Sequence, residues 1–297
     1  MTVKRDGWQV AAHIIMILFS LLAIVPFILL VIASFTDNQW ALVNGISFFP
    51  KAWSTTAYQY IANEWATIGR AYLMTIVVTV IGTALSILIT TSLAYALTEK
   101  GLPGRRVLNF LVVFTMLFNG GIVASFYIWV KVFSIRNTMW ALIFPNIMMN
   151  AFNIILVKNY YVSSVPGALK EAARIDGAGE FRIFAQIVFP LSLPIIATIG
   201  LMTAIAYWND WTNGLYYLTE RNGSHLYTIQ IVLNTVNENI NFLASHANQM
   251  GGISVAEIPS TTVRMAIAVV GVLPILIMYP FFQKYFVKGI TLGAVKE

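Results

Sequence analysis

Long apolar runs alternate with short polar stretches along the whole chain. A helical crossing of ~30 Å of hydrocarbon takes ~20 mainly apolar residues. Six stretches qualify: 11–35, 71–97, 107–131, 138–157, 191–212 and 264–287. An unpaired backbone group in lipid costs several kcal/mol, so each stretch is predicted to be helical. Pro26, Pro145, Pro194, Pro274 and Pro280 fall within or near these stretches and predict kinks, or repair by neighbouring helices. The first run follows Lys4 and Arg5, but Ala11–Phe35 exceeds the ~7–15-residue core of a signal peptide. No small-x-small cleavage site follows it, so it reads as a retained span. The expectation is an all-α integral membrane protein with six transmembrane helices and one domain over 1–297. No repeat or linker marks a second domain.

Composition supports this. Hydrophobic residues make up 58% of the chain and charged residues 10%, against roughly 25% charged in soluble domains. There is no cysteine, which excludes a disulfide framework, a thiol nucleophile and a Cys-based metal site. His13, His225 and His246 are far apart and show no metal-ligand spacing, which argues against a metal enzyme. The net charge of +6 is spread through short loops, so it reads as membrane topology and not as nucleic-acid binding. With an inside N-terminus, segments 1–10, 98–106, 158–190 and the tail hold 12 of the 18 Lys and Arg. The positive-inside rule then places both termini and 158–190 in the cytoplasm, with the long loops 36–70 and 213–263 outside.

The polar segment Lys158–Pro190 interrupts two apolar runs, and residues 171–190 read EAARIDGAGEFRIFAQIVFP. Ser164 is placed to cap a helix with Pro166 in its first turn. Ala168, Ala172 and Ile175 share one face, while Lys170, Glu171 and Arg174 charge the other. Asp176-Gly177 supplies a stop, with Gly177 able to turn left-handed. A second helix is predicted over Glu180–Phe189, ending before Pro190. Alanines on the apolar face let a partner's groove come close, whereas a helix lying on lipid favours bulky side chains there. The residues alone leave both readings open.

Glu171-Ala172-Ala173, then Asp176-Gly177-Ala178, then Ile187 and Pro190, resemble the EAA loop of importer-type ABC transporter permeases, with Phe189 where that pattern usually has Leu. Tyr207-Trp208-Asn209-Asp210 and the tail from Phe282 to Lys296 resemble the carbohydrate-uptake, maltose-type branch and its smaller permease. Asn44-Gly45-Ile46-Ser47-Phe48-Phe49-Pro50 is similar to a subgroup importing oligosaccharides released from polysaccharides. The resemblance implies a multi-pass subunit of the bacterial inner membrane that pairs with a second, homologous permease. Two cytoplasmic ATP-binding subunits and an extracytoplasmic sugar-binding protein complete the system. It implies that Glu171 pairs with a basic group on the ATPase, with Ala172, Ala173, Asp176, Gly177 and Ala178 at the contact. The tail would reach between the ATPase subunits, and loop 213–263, with Gly251-Gly252, would approach the binding protein. ATP and Mg would be bound by the ATPase, because this chain has no G-x-x-x-x-G-K-[ST] loop and carries no cofactor.

Candidate pathway residues follow from the spans. Asn146, Asn150 and Asn153 fall at i, i+4 and i+7 of the fourth stretch and predict one amide face turned into the protein. Such amides suit sugar hydroxyls, and equally suit helix–helix hydrogen bonds. Asn119-Gly120-Gly121 interrupts the third stretch, as a kink beside a pathway or as a packing notch. Trp208 and Trp211 sit near the outer end of the fifth stretch, where interfacial anchoring and sugar stacking are both open. Thr75, Thr79, Gly82, Thr83, Ser86 and Thr90 line one face of the second, a close-approach surface for another helix. An ion-driven secondary transporter would need inverted repeats and midplane charges, and the sequence shows neither. An intramembrane enzyme would need a catalytic pair within the spans, and only scattered candidates exist. No basic cluster within the spans argues for an acidic sugar.

Overall fold

The computed structural model describes residues 7–246 and 261–294. Gly251-Gly252 and Val295-Lys296 lie outside them. Among the described residues the chain is helical, and its only strand-like pairing is the bridge between Thr36 and Trp53. Two helices are long and apolar enough to cross a membrane, Gly7–Ser34 (α1) and Trp65–Thr98 (α4). A third candidate is the pair Glu180–Leu191 (α10) and Leu193–Trp208 (α11), bent by 81°. The sixth stretch lies in the helix Thr261–Ala294.

Two compact units emerge. The first comprises residues 1–68 and 233–274. Its α1 is apolar all round, with Leu18, Phe19 and Leu22 exposed, as a helix against lipid should be. Where α1 ends, Ser34 hydrogen-bonds the Tyr58 hydroxyl at 2.8 Å and Phe35 stacks on the Tyr58 ring. The segment read as a long loop, 36–70, is therefore folded. Asp37 accepts from the Trp40 amide to start Asn38–Asn44 (α2), Thr56–Asn63 (α3) follows, and α4 begins at Trp65.

The second unit comprises residues 69–232 and 275–297, and here two of the expected spans are broken. The stretch 107–131 is Arg105–Leu117 (α5), a gap, then Gly121–Val132 (α6), whose last residues form a π turn. Gly121 takes φ +76°, which favours glycine, and donates to the Asn119 side chain at 2.8 Å. The stretch 138–157 is only Trp140–Ile143 (α7), then turns, then Ala151–Ser164 (α8). Pro145 has no N–H to give, and Asn146 adopts φ +64°, so the helix cannot continue. Ser164 does not cap the next helix; it ends α8, and Gly167–Ile175 (α9) begins after Pro166 without a side-chain cap. Nor does Pro190 stop its helix. A π turn over Phe184–Val188 widens the backbone before the proline, and α10 runs on to Leu191.

The predicted small-residue face of α4 makes close contact. Thr75 Oγ1 donates to Ala71 O and accepts from the Ile229 amide at 2.9 Å, where the helix Ile229–His246 starts. A methyl on Gly82 would lie 2.5 Å from the Tyr207 ring of α11. That ring is fixed, because the buried Tyr207 hydroxyl donates to Ile143 O at 2.8 Å. The far end of α4 is closed by Arg105 Nε, which bonds Leu97 O, satisfying one of the last helix carbonyls. Ala94, Leu97, Ile154, Val157, Ile183 and Ile199 form a buried cluster tying α4, α8, α10 and α11 together.

Gly82→Val should overpack this contact and cost about 1–3 kcal/mol, read as a lower thermal unfolding midpoint in detergent. Gly101→Ala, where an added methyl meets nothing within 4 Å, should leave the midpoint in place. Equal midpoints for both variants would refute the close approach.

Candidate functional site

The distinctive local structure lies in α9 and α10. α9 closes as a Schellman motif: the Ala178 amide bonds Ala173 O at 2.9 Å and the Gly177 amide bonds Arg174 O at 3.0 Å. Gly177 takes the left-handed φ of +81° that this closure needs. The turn separates two unlike surfaces. Ala173 and Ala178 are half-buried and pack on the chain's own apolar cluster. Glu171, Ala172, Asp176 and Gly177 are exposed, as is Ile175 at 87%, and Phe181 on α10 stands out at 83%.

The inner side carries a charged cluster. Glu99, just beyond α4, accepts from Lys170 at 3.1 Å and from Arg174 at 2.5 Å. Arg174 also reaches Glu180 at 2.8 Å, and the Tyr95 hydroxyl donates to the other Glu180 oxygen at 2.5 Å. The Arg174 guanidinium, then the Tyr95 hydroxyl, hold the Glu180 carboxyl below the usual carboxylate range. Glu180 and then Glu99 in turn hold Arg174 more firmly protonated than usual. With its pKa depressed, Glu180 contributes fully above the ordinary carboxylate range, and the contribution is lost only as pH falls through the lowered value. These groups border a cavity of about 940 Å³ with Leu88, Leu102 and Phe184 in its walls and Glu171 at its rim. Sequence reading identified Lys170 and Arg174 but missed Tyr95, Glu99 and Glu180 as members of their cluster. The one available signal was that Tyr95 and Glu99 lie one turn apart at the end of an apolar run.

A second cavity, about 520 Å³, is lined by Asn146, Asn150, Asn153, Phe152, Met202 and Thr203. The three amides meet there, but not as one helix face. Asn146 sits in the broken backbone, Asn150 caps α8 by accepting from the Asn153 amide, and only Asn153 lies within the helix. Asn153 is buried and bonds Thr203 at 3.4 Å, whereas Asn146 and Asn150 are exposed. The break is held by the fully buried Asn213, whose Nδ2 donates to Pro145 O at 3.0 Å and whose Oδ1 accepts from the Asn146 side-chain Nδ2 at 3.3 Å. Asp210 accepts from the Thr212 and Asn213 amides and so starts the helix carrying Asn213, Thr212–Tyr217 (α12). Neither Asn119 nor Trp208 lines this cavity: Asn119 is exposed at the α5–α6 gap, and Trp208 is 6% exposed at the end of α11. Trp211 is the exposed member of its pair.

Comparison with known proteins covers both regions. The family described as "Binding-protein-dependent transport system inner membrane component" matches residues 91–292. The polygalacturonan/rhamnogalacturonan transport system permease protein YtcP of Bacillus subtilis (strain 168) is 40% identical over 281 residues, 95% of each chain. Protein LplC of the same organism is 36% identical over 275 residues, 93% of this chain and 90% of that one. A crystal structure of a bacterial ABC transporter involved in the import of the acidic polysaccharide alginate superposes with a TM-score of 0.76 at 28% identity, covering 96% of this chain and 99% of that one. With more than half its length matched, and with this all-helical architecture, the chain belongs to the family of inner membrane permease components of binding-protein-dependent transport systems.

Proposed function

We propose that this chain is the smaller-type permease of an ATP-driven carbohydrate importer that takes up oligosaccharides released from a polysaccharide. The names of its relatives support this class: besides YtcP, arabinooligosaccharide (28% identical) and melibiose/raffinose/stachyose (26% identical) permeases align over nearly the whole chain. In this reading residues 1–297 form one permease domain with six spans, the broken stretches included, and both termini in the cytoplasm. A second permease completes the pathway. Two ATP-binding subunits hold ATP and Mg, and an extracytoplasmic binding protein delivers the sugar.

The observation that carries the reading is the contrast within the 167–191 segment. Lys170, Arg174 and Glu180 are bonded within the chain, while Glu171, Ile175 and Phe181 are exposed, Glu171 and Phe181 beside the same cavity. Exposed apolar side chains beside a charge mark a contact surface. An ATPase gripping that surface would convert its closure into movement of the helices behind it. The amide cavity is then a stretch of the sugar path. Irregular backbone within an apolar region is tolerated where it lines a cavity, and amides both donate to and accept from hydroxyls.

Three outcomes test this. In proteoliposomes holding the whole transporter, Glu171→Ala and Gly177→Asp should leave ATP hydrolysis running while uptake per ATP falls about tenfold; normal uptake by Gly177→Asp would refute the docking role. A membrane-impermeant reagent should label a cysteine at Glu171 only after the cytoplasmic side is opened. Modification of that cysteine from the cell exterior would overturn the topology. With oligogalacturonides, arabino-oligosaccharides and malto-oligosaccharides as probes, Asn150→Leu should raise the apparent KM for whichever is carried by about 5- to 30-fold, the effect of about 1–2 kcal/mol lost with a bond to the sugar. An unchanged KM and rate would assign the amides to packing.

A further inference from the structure

We infer that Tyr95 and Glu99 are positioning residues that clamp both helices of the 167–191 segment to the end of α4, so that a push on the segment turns α4 with it. This rests on the reading that an ATPase grips the exposed residues of the segment. The geometry of the clamp supplies the argument. Tyr95 lies in the last turn of α4, and Glu99 is the residue just beyond its end. Glu99 holds Lys170 and Arg174, both on α9. Tyr95 holds Glu180, the first residue of α10. Arg174 closes the ring by bridging Glu99 to Glu180.

The ring spans the place where the segment would otherwise bend. Between α9 and α10 lie Asp176, Gly177, Ala178 and Gly179, and the two glycines meet no neighbour that an added methyl would touch. Arg174 stands before that turn and Glu180 after it, so their ion pair fixes one helix against the other. The Tyr95 ring adds a side contact to Phe184 at 5.3 Å and lies under the Lys170 ammonium at 5.9 Å. Three helices are thereby joined by charge and ring contacts, and α4 carries the connection onward to Tyr207 of α11 through Gly82. Partly solvated ion pairs add little to folding stability. Losing them should leave an assembled transporter whose loop no longer drives α4.

The absence of cysteine permits a direct test. Gly101→Cys and Gly179→Cys place labels on either side of the clamp, at positions where an added side chain meets nothing within 4 Å. In the whole transporter in proteoliposomes, pulsed EPR should give one narrow label–label distance that does not change when ATP is added. Adding Tyr95→Phe and Glu99→Gln should make that distance broad or ATP-dependent. ATP hydrolysis should continue while uptake of the oligosaccharide probe per ATP falls about five- to tenfold. A distance that moves with ATP while the clamp is intact would overturn the inference, even if the double variant failed to assemble. So would a double variant with an unaltered distance or unaltered coupling. Failure of the docking reading is separable: Glu171→Ala would then keep normal coupling, whatever the labels report.

Discussion

A backbone group left unbonded in hydrocarbon costs several kcal/mol, and that constraint organises the chain. Continuous helices meet it without help, as α1 and α4 do. Each interruption must be repaired from elsewhere, so each one identifies the side chains that make the repair. At the α5–α6 gap, Asn119 takes the Gly121 amide. At the α7–α8 break, Asn213 takes Pro145 O while Asn150 serves the Asn153 amide. At the α10–α11 bend, the Ser192 amide finds Phe189 O and the Ile196 amide finds Ser192 O. Asparagine side chains thus serve the first two interruptions, and backbone groups serve the third.

The repairs explain what could be read from the sequence. Gly177 was legible because a left-handed closure after an apolar turn leaves a local signature, and the Schellman bonds form within six residues. The asparagine triplet was legible as a group but misread as geometry. Spacing of i, i+4, i+7 implies one helical face only if the helix is intact, and Pro145 breaks it at the first member. Pro190 was misread the other way. A proline reads as a stop, yet the π turn ahead of it lets the helix pass. Tyr95, Glu99 and Asn213 were not legible, because their partners lie 68 to 85 residues away in the chain and only the fold brings them together. Trp208 shows the same limit: a tryptophan near the end of an apolar run reads as an interfacial anchor, but here its neighbours bury it.

The two cavities differ in chemistry in a way that suits different tasks. The one beside α9 is walled by Glu99, Lys170, Arg174 and Glu180, which pair with one another, with Lys100 and Glu171 also in its lining. Charges matched in this manner give stiffness and register. The amide cavity carries no Lys, Arg, Asp or Glu in its lining. Neutral donors and acceptors beside Phe152 and Met202 offer hydroxyls many weak options without a charge to trap them, which is the requirement for a molecule that must leave as well as enter.

Stiffness at one cavity and permissiveness at the other are linked by α4. A lever transmits motion only if its joints resist more strongly than its load. The joint at Tyr95 and Glu99 resists through a closed ring of bonds, and the joint at Gly82 through a ring held by its own buried hydroxyl against α7. The Tyr207 hydroxyl takes its partner from Ile143, two residues before the break that opens the amide cavity. The Tyr207 side chain thus ties Gly82 of α4 to the residues beside the broken backbone, in a cluster that also holds Val78, Leu142 and Ile143. The constraint that forces every interruption to be repaired also leaves that interruption where a displaced helix would first be felt.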